Sequence, residues 1–248
     1  MKVNVPEKWE EIKLHQFQSY TTETRKEINK ATMLIQTIST LCNIPFDTAV
    51  KMRIKDVQKI SKHLYDLLDK VPQNFALQFK FNDKNYGFIP KLDDITIGEY
   101  ADLEFYLSDK NTIWDNMHWI MSILYREVEN EKDGKYTIKE YKPSKKRAES
   151  FKKLPMDIVY AASNFFFDFR SGIGRDYAKL FESRGNEESG GTDERDRWGW
   201  FRIIYHFASG NIARFDEIEK LPVLLALNTL SYEQDKNREE RQLTQTIK

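Results

Sequence analysis

A chain of 248 residues that is 40% hydrophobic, with 16 Phe, 12 Tyr and 5 Trp, can build a sizeable core; this excludes a disordered protein and leaves one large domain or two small ones. Lys plus Arg and Asp plus Glu both total 39, so the formal net charge is zero. A surface that neutralises phosphates along its length would carry a basic excess, and nucleic acid is therefore not expected as a partner.

The opening segment from Met1 to Lys8 lacks the apolar stretch of a leader, and no run approaches the roughly 18 apolar residues that span a bilayer, so no membrane association is expected. From Ala31 the apolar positions Ala31, Leu34, Ile35, Ile38, Leu41 and Cys42 follow the three-and-four spacing of a helix stripe. Ile44-Pro45-Phe46-Asp47 ends that helix, because proline cannot continue the ladder. A second helix is expected after Asp47, and Val57, Ile60, Leu64, Leu67 and Leu68 mark a third. Cys42, the single cysteine, falls on the first stripe and reads as a small core residue in a reducing compartment.

Between Phe75 and Pro90 the period becomes alternating: Leu77, Phe79 and Phe81, then turn residues Asn82 to Asn85, then Tyr86-Gly87-Phe88-Ile89. This predicts a hairpin over 75–90, with 135–141 as a third strand. Thr96 and Glu99 have the spacing of a capping box opening a helix through Tyr100, Leu103 and Leu107, and a further helix is expected from Asp115 to Leu124.

The segment from Lys142 to Lys153 is basic and reads as a solvated linker or helix face between two lobes, with Lys145, Lys146 and Arg147 as a candidate docking strip. Leu154-Pro155 and Leu221-Pro222 both place proline where a first helical turn tolerates it; the similarity is too short to define a repeat. Gly172 and Gly174 predict a break between helices, Gly185 to Asp193 a mobile loop, and the chain beyond Tyr232 a polar tail that frays or projects. The fold expected is mainly α (α+β): helical bundle-like lobes with a small antiparallel hairpin or sheet. The expected division is 1–142 for an N-terminal lobe, 143–236 for a C-terminal helical lobe and 237–248 for the tail.

Little in the chain points to catalysis. His15, His63, His118 and His206 are scattered without zinc-ligand spacing. The carboxylates Asp93, Asp94, Glu99, Asp102 and Glu104 surround a helix start, where acids have an electrostatic reason to be. Ser171-Gly172-Ile173-Gly174-Arg175 lacks the Gly-Lys-Ser/Thr ending of a nucleotide loop. No catalytic residue, cofactor or metal is assigned. What stands out is the aromatic density of Trp198, Trp200, Phe201 and Tyr205, which predicts a helix buried on several sides, with Phe201, Ile204 and Tyr205 against Leu224, Leu227 or Leu230. The same four aromatic residues are candidates for a protein interface.

The order Trp198-Gly199-Trp200-Phe201-Arg202-Ile203-Ile204-Tyr205, then Gly210-Asn211-Ile212-Ala213-Arg214-Phe215-Asp216-Glu217-Ile218, then Lys220-Leu221-Pro222 and an apolar helix, resembles small proteins of tailed bacteriophages. Trp9-Glu10-Glu11-Ile12-Lys13-Leu14 and the stretch from Tyr86 to Glu104 stand in the matching order. These phage proteins are filed as structural or tail-assembly-chaperone-like. The resemblance implies a non-enzymatic morphogenesis protein whose partners are other phage structural or tail proteins, with self-association as a further expectation. It implies residence in the host cytoplasm during assembly, or in the virion. A stoichiometric virion component (connector, tail or packaged protein) is the alternative, ahead of a metal-dependent enzyme or DNA-binding module.

Overall fold

The computed structural model describes residues 3–182 and 199–246. Among the described residues it has twelve α-helices and one four-stranded antiparallel sheet and is 63% helical, so the chain is mainly α with a small β element. Among the described residues no helix is long and apolar enough to cross a membrane. The chain forms two compact units, each discontinuous: Met1–Pro90 with Tyr106–Phe165, and Lys91–Phe105 with Phe166–Lys248. The expected boundary at 142/143 coincides with neither division.

In the first unit, α1 (Leu14–Thr24), α2 (Lys30–Leu41), α3 (Phe46–Val50) and α4 (Ile54–Leu68) follow one another. Asn29 caps α2 by accepting from the Thr32 amide at 2.9 Å. Ile38 and Leu41 are buried on α2, and Leu64 and Leu67 on α4. Cys42 is buried as expected, and burial pushes its thiol up to about 11. Trp9 Nε1 donates to the carbonyls of Leu67 (3.0 Å) and Lys70 (2.7 Å), satisfying orphan acceptors at the end of α4.

The sheet is a meander of β1 (Gln78–Phe81), β2 (Lys84–Phe88), β3 (Tyr125–Lys132) and β4 (Lys135–Ile138). Its two tight turns use Asn82-Asp83 and Asp133-Gly134, all four at positive φ, the geometry whose twist matches paired strands. The hairpin was legible; β3 was not, so the expected third strand is the fourth. One face carries Phe79, Tyr86, Phe88 and Tyr125, which meet edge-on or stacked at 4.8–5.7 Å. Phe151, fully buried on α7 (Lys145–Phe151), packs on Tyr86 at 5.0 Å. The expected linker is thus a helix of this unit, and α6 (Ile113–Leu124) runs directly into β3.

The other face turns on Gly87. Tyr136 of β4 lies across it, its hydroxyl donating to the carbonyls of Phe88 (2.8 Å) and Leu77 (3.1 Å). A Cβ at Gly87 would stand 2.4 Å from the Tyr136 ring.

The second unit contains α5 (Ile97–Leu107) up to Phe105, the later part of α8 (Met156–Asp176), α9 (Ala178–Glu182), α10 (Gly199–Phe207), α11 (Phe215–Ile218) and α12 (Val223–Thr246). One expectation fails here and one is made specific. Gly172 and Gly174 lie inside α8, where added Cβ atoms would meet open space, so neither breaks the helix. The expected tail is the second half of α12, supported by local pairs such as Arg238–Asp235 at 2.6 Å. The expected loop from Gly185 to Asp193 lies outside the described residues.

A structural repeat relates the two units, contrary to the sequence reading. In the first, Ile12-Lys13-Leu14 pairs antiparallel with Leu154-Pro155-Met156: Leu14 N donates to Leu154 O and Met156 N to Ile12 O, both at 2.9 Å. In the second, Ile95-Thr96-Ile97 pairs with Leu221-Pro222-Val223: Ile97 N donates to Leu221 O (2.9 Å) and Val223 N to Ile95 O (2.8 Å). Each first segment follows a short 3₁₀ turn, Trp9–Glu11 or Leu92–Asp94, and each strip leads into a helix. Ile12, Leu14, Ile95 and Ile97 are completely buried.

Gly87→Ala should displace the Tyr136 ring and weaken its two hydrogen bonds, lowering unfolding free energy by about 1–3 kcal/mol. In a double-mutant cycle by urea denaturation, Gly87→Ala should cost much less once Tyr136 is already Ala. Equal costs in both backgrounds would contradict this packing.

Candidate interaction surface

α10 is amphipathic, although six of its nine residues are large and apolar or aromatic. Ile203 and Ile204 are buried, and Trp200 turns inward to meet Tyr100 edge-on at 5.0 Å. Ile204 joins Ile97, Ala208, Ile218 and Ala226 in a core cluster, flanked by Trp200, Phe207, Phe215 and Leu221. The expected partners on α12 were Leu224, Leu227 or Leu230; the cluster instead places Ile204 with Ala226 of that helix. Phe201 and Tyr205 behave otherwise: they are 46% and 50% exposed, which overturns the reading of a helix buried on several sides. Helical periodicity puts positions 201 and 205 on one side, with 203 opposite them and 204 on the flank toward the core. Trp198 lies outside the described residues.

The exposed pair is held in place. Phe201 and Tyr205 stack at 6.2 Å with 24° between their planes, and Phe215 of α11 meets Phe201 edge-on at 5.6 Å. α10 ends with Ser209 and Gly210 at φ 52° and 76°, and Gly210 N donates to Tyr205 O at 3.0 Å. The turn brings the Tyr205 ring over Gly210, where a Cβ would stand 3.0 Å from the phenolic oxygen. Ile212, 75% exposed, continues the apolar surface beyond the turn. Sequence reasoning named Phe201 and Tyr205 but missed Ile212 and Phe215; the Ser209-Gly210 turn was the available signal.

The basic strip belongs to the first unit and is not a uniform row of cations. Lys145 and Lys146 are exposed. Arg147 is half-buried, donating from Nε to Ser122 O and from Nη2 to Lys142 O, both at 3.0 Å. Burial and then the neighbouring Arg126 push its guanidinium below the usual range. Arg147 thus fastens α7 and is not offered whole to a partner.

The carboxylates near Glu99 act structurally. Glu99 is buried and accepts from Thr96 N at 2.8 Å, while Glu99 N donates to Thr96 Oγ1 at 3.2 Å, completing the expected capping box. Glu104 is clamped in two places by Arg170, at 2.6 and 2.7 Å. Among the described residues no three His, Cys, Asp or Glu side chains are grouped to hold a metal ion. His206 is exposed and pairs with Glu233 at 2.9 Å. Comparison of the chain with protein-family models, curated proteins and solved structures returns no match.

His118 is the histidine with chemistry of its own. It is buried in the first unit, its Nδ1 3.1 Å from the Gln18 amide nitrogen and its Nε2 3.7 Å from Glu149. Burial, then Lys152, pushes its pKa down to about 4, with Glu149 opposing. The unfolded chain therefore takes up this proton near the ordinary value of about 6.5 while the folded chain refuses it. Stability from this site is complete above that value and falls as the pH drops toward 4, by about 1–3 kcal/mol. Urea midpoints measured across this range should fall for the native sequence and fall less for His118→Gln; identical slopes would contradict the assignment.

Proposed function

We propose that the protein is a non-enzymatic bacteriophage morphogenesis factor that acts by protein–protein binding in a tail-assembly-chaperone-like role. The resemblance of its segments to such phage proteins gives the class. The observation that carries the binding mode is the Phe201–Tyr205–Phe215 surface, half-exposed yet fixed by ring contacts and the Gly210 turn. Rigid aromatic side chains give large contact area at small entropic cost, which makes them effective anchors. An assembly chaperone must cover an apolar client until assembly replaces it, in the host cytoplasm, and a preformed aromatic surface with polar neighbours such as Arg202 and His206 suits that task.

The test is capture of tail components from infected cells by the tagged chain and by Phe201→Ser/Tyr205→Ser. The double variant should keep its melting temperature within a few degrees, because both side chains are half-exposed, and should lose the captured tail component. Undiminished capture would remove this surface from the role. Absence of any tail component, together with many copies of the protein in purified virions, would replace the chaperone reading with that of a stoichiometric virion component.

A further inference from the structure

Among the described residues, α12 turns one apolar side inward and carries further large apolar side chains on its outer side. Val223, Ala226 and Leu227 face inward and are buried. Leu225, Tyr232 and Leu243 are 55%, 68% and 64% exposed. At about 3.6 residues per turn these three fall on one line along the helix, opposite the buried side. The same line carries Thr229, Lys236 and Glu239, so 225, 229, 232, 236, 239 and 243 alternate in steps of four and three, the seam of a helix pair. From Asp235 to Thr244 every side chain is exposed, and local pairs such as Lys236–Glu240 at 3.9 Å run along this half of α12. Exposed pairs of that kind contribute little.

The charges on the seam identify an occupant. With a second α12 laid antiparallel so that Tyr232 faces Leu243 of the other copy, the same register puts Lys236 opposite Glu239. The two-fold axis makes each contact twice: two Lys–Glu layers at the centre, flanked by two Tyr–Leu layers. A parallel pair would stack Lys236 on Lys236 and Glu239 on Glu239, placing like charges in contact. We propose that the second half of α12 is a homodimerisation element, pairing antiparallel with the same helix of a second copy through Tyr232, Lys236, Glu239 and Leu243. This surface is separate from that of Phe201 and Tyr205, and the proposal does not rest on the phage assignment.

The experiment is sedimentation equilibrium of the full chain, native and with Lys236→Glu, Glu239→Lys, both together, and Tyr232→Ser, with far-UV circular dichroism on each. The native chain should dimerise. Each single charge reversal places like charges across the seam and should weaken dimerisation at least about tenfold. The double reversal restores opposite charges and should regain the native constant within about threefold. Tyr232→Ser should also lose the dimer while keeping its helix content. A native chain that stays monomeric at its highest soluble concentration would overturn the proposal, as would a dimer indifferent to the single reversals or not restored by the double one.

Discussion

Two short antiparallel bridges hold the framework on which everything else rests, and their chemistry explains why a Leu-Pro step opens a helix in each unit. Both bridges are antiparallel pairs of the kind in which the two central residues do not exchange hydrogen bonds and their neighbours do. Pro155 and Pro222 occupy that central position, so the amide hydrogen they lack is not needed, and their fixed φ suits the helix that follows. Opposite them, Lys13 N and Thr96 N also fall outside the bridge. Gln16 Oε1 accepts the first and Glu99 Oε2 the second, both at 2.8 Å. Each buried backbone donor at the junction thereby has a partner, as burial demands.

The bridge in the second unit also explains how an exposed aromatic surface can be kept without loosening the fold. Ile97 and Val223 leave the bridge fully buried, and the cluster around Ile97 takes Ile204 from α10 and Ile218 from α11. With those two helices fixed from below, Phe201 and Phe215 meet above them and Tyr205 closes over Gly210. Exposed apolar area of this kind opposes folding when it is free to collapse inward. Here the inward positions are already filled by isoleucine and tryptophan, and the outward rings are left at the surface.

Local signals were the legible part of the sequence. The capping box at Thr96 and Glu99, the turn at Asn82-Asp83, the buried stripe ending at Cys42 and the Leu-Pro helix starts each arise from neighbours within a few residues. What was not legible depends on distant partners. Lys13 meets Pro155 and Thr96 meets Pro222 across most of a unit's chain, so the repeat emerged only from the pairing. β3 was hidden because only its first two residues, Tyr125 and Arg126, are buried, and Glu129 to Lys132 look like a charged loop. The aromatic surface was misjudged for the opposite reason: Phe201 and Tyr205 are exposed where polar residues would ordinarily mark the outer face, so the helical period of α10 did not show in its composition. The last turns of α12 read as a tail because charged residues on every side conceal the helix that their pairs support.

Native-state hydrogen exchange, read residue by residue, tests this framework most directly. Leu14, Met156, Ile97 and Val223 donate the four bridge hydrogen bonds. If each bridge holds its own unit together as described, these amides should exchange only through the largest opening of their unit, as slowly as the buried centres of α6 and α8. Exchange of these four amides at the rate of frayed helix ends, while α6 and α8 stay protected, would show that the bridges are incidental contacts and would contradict the account.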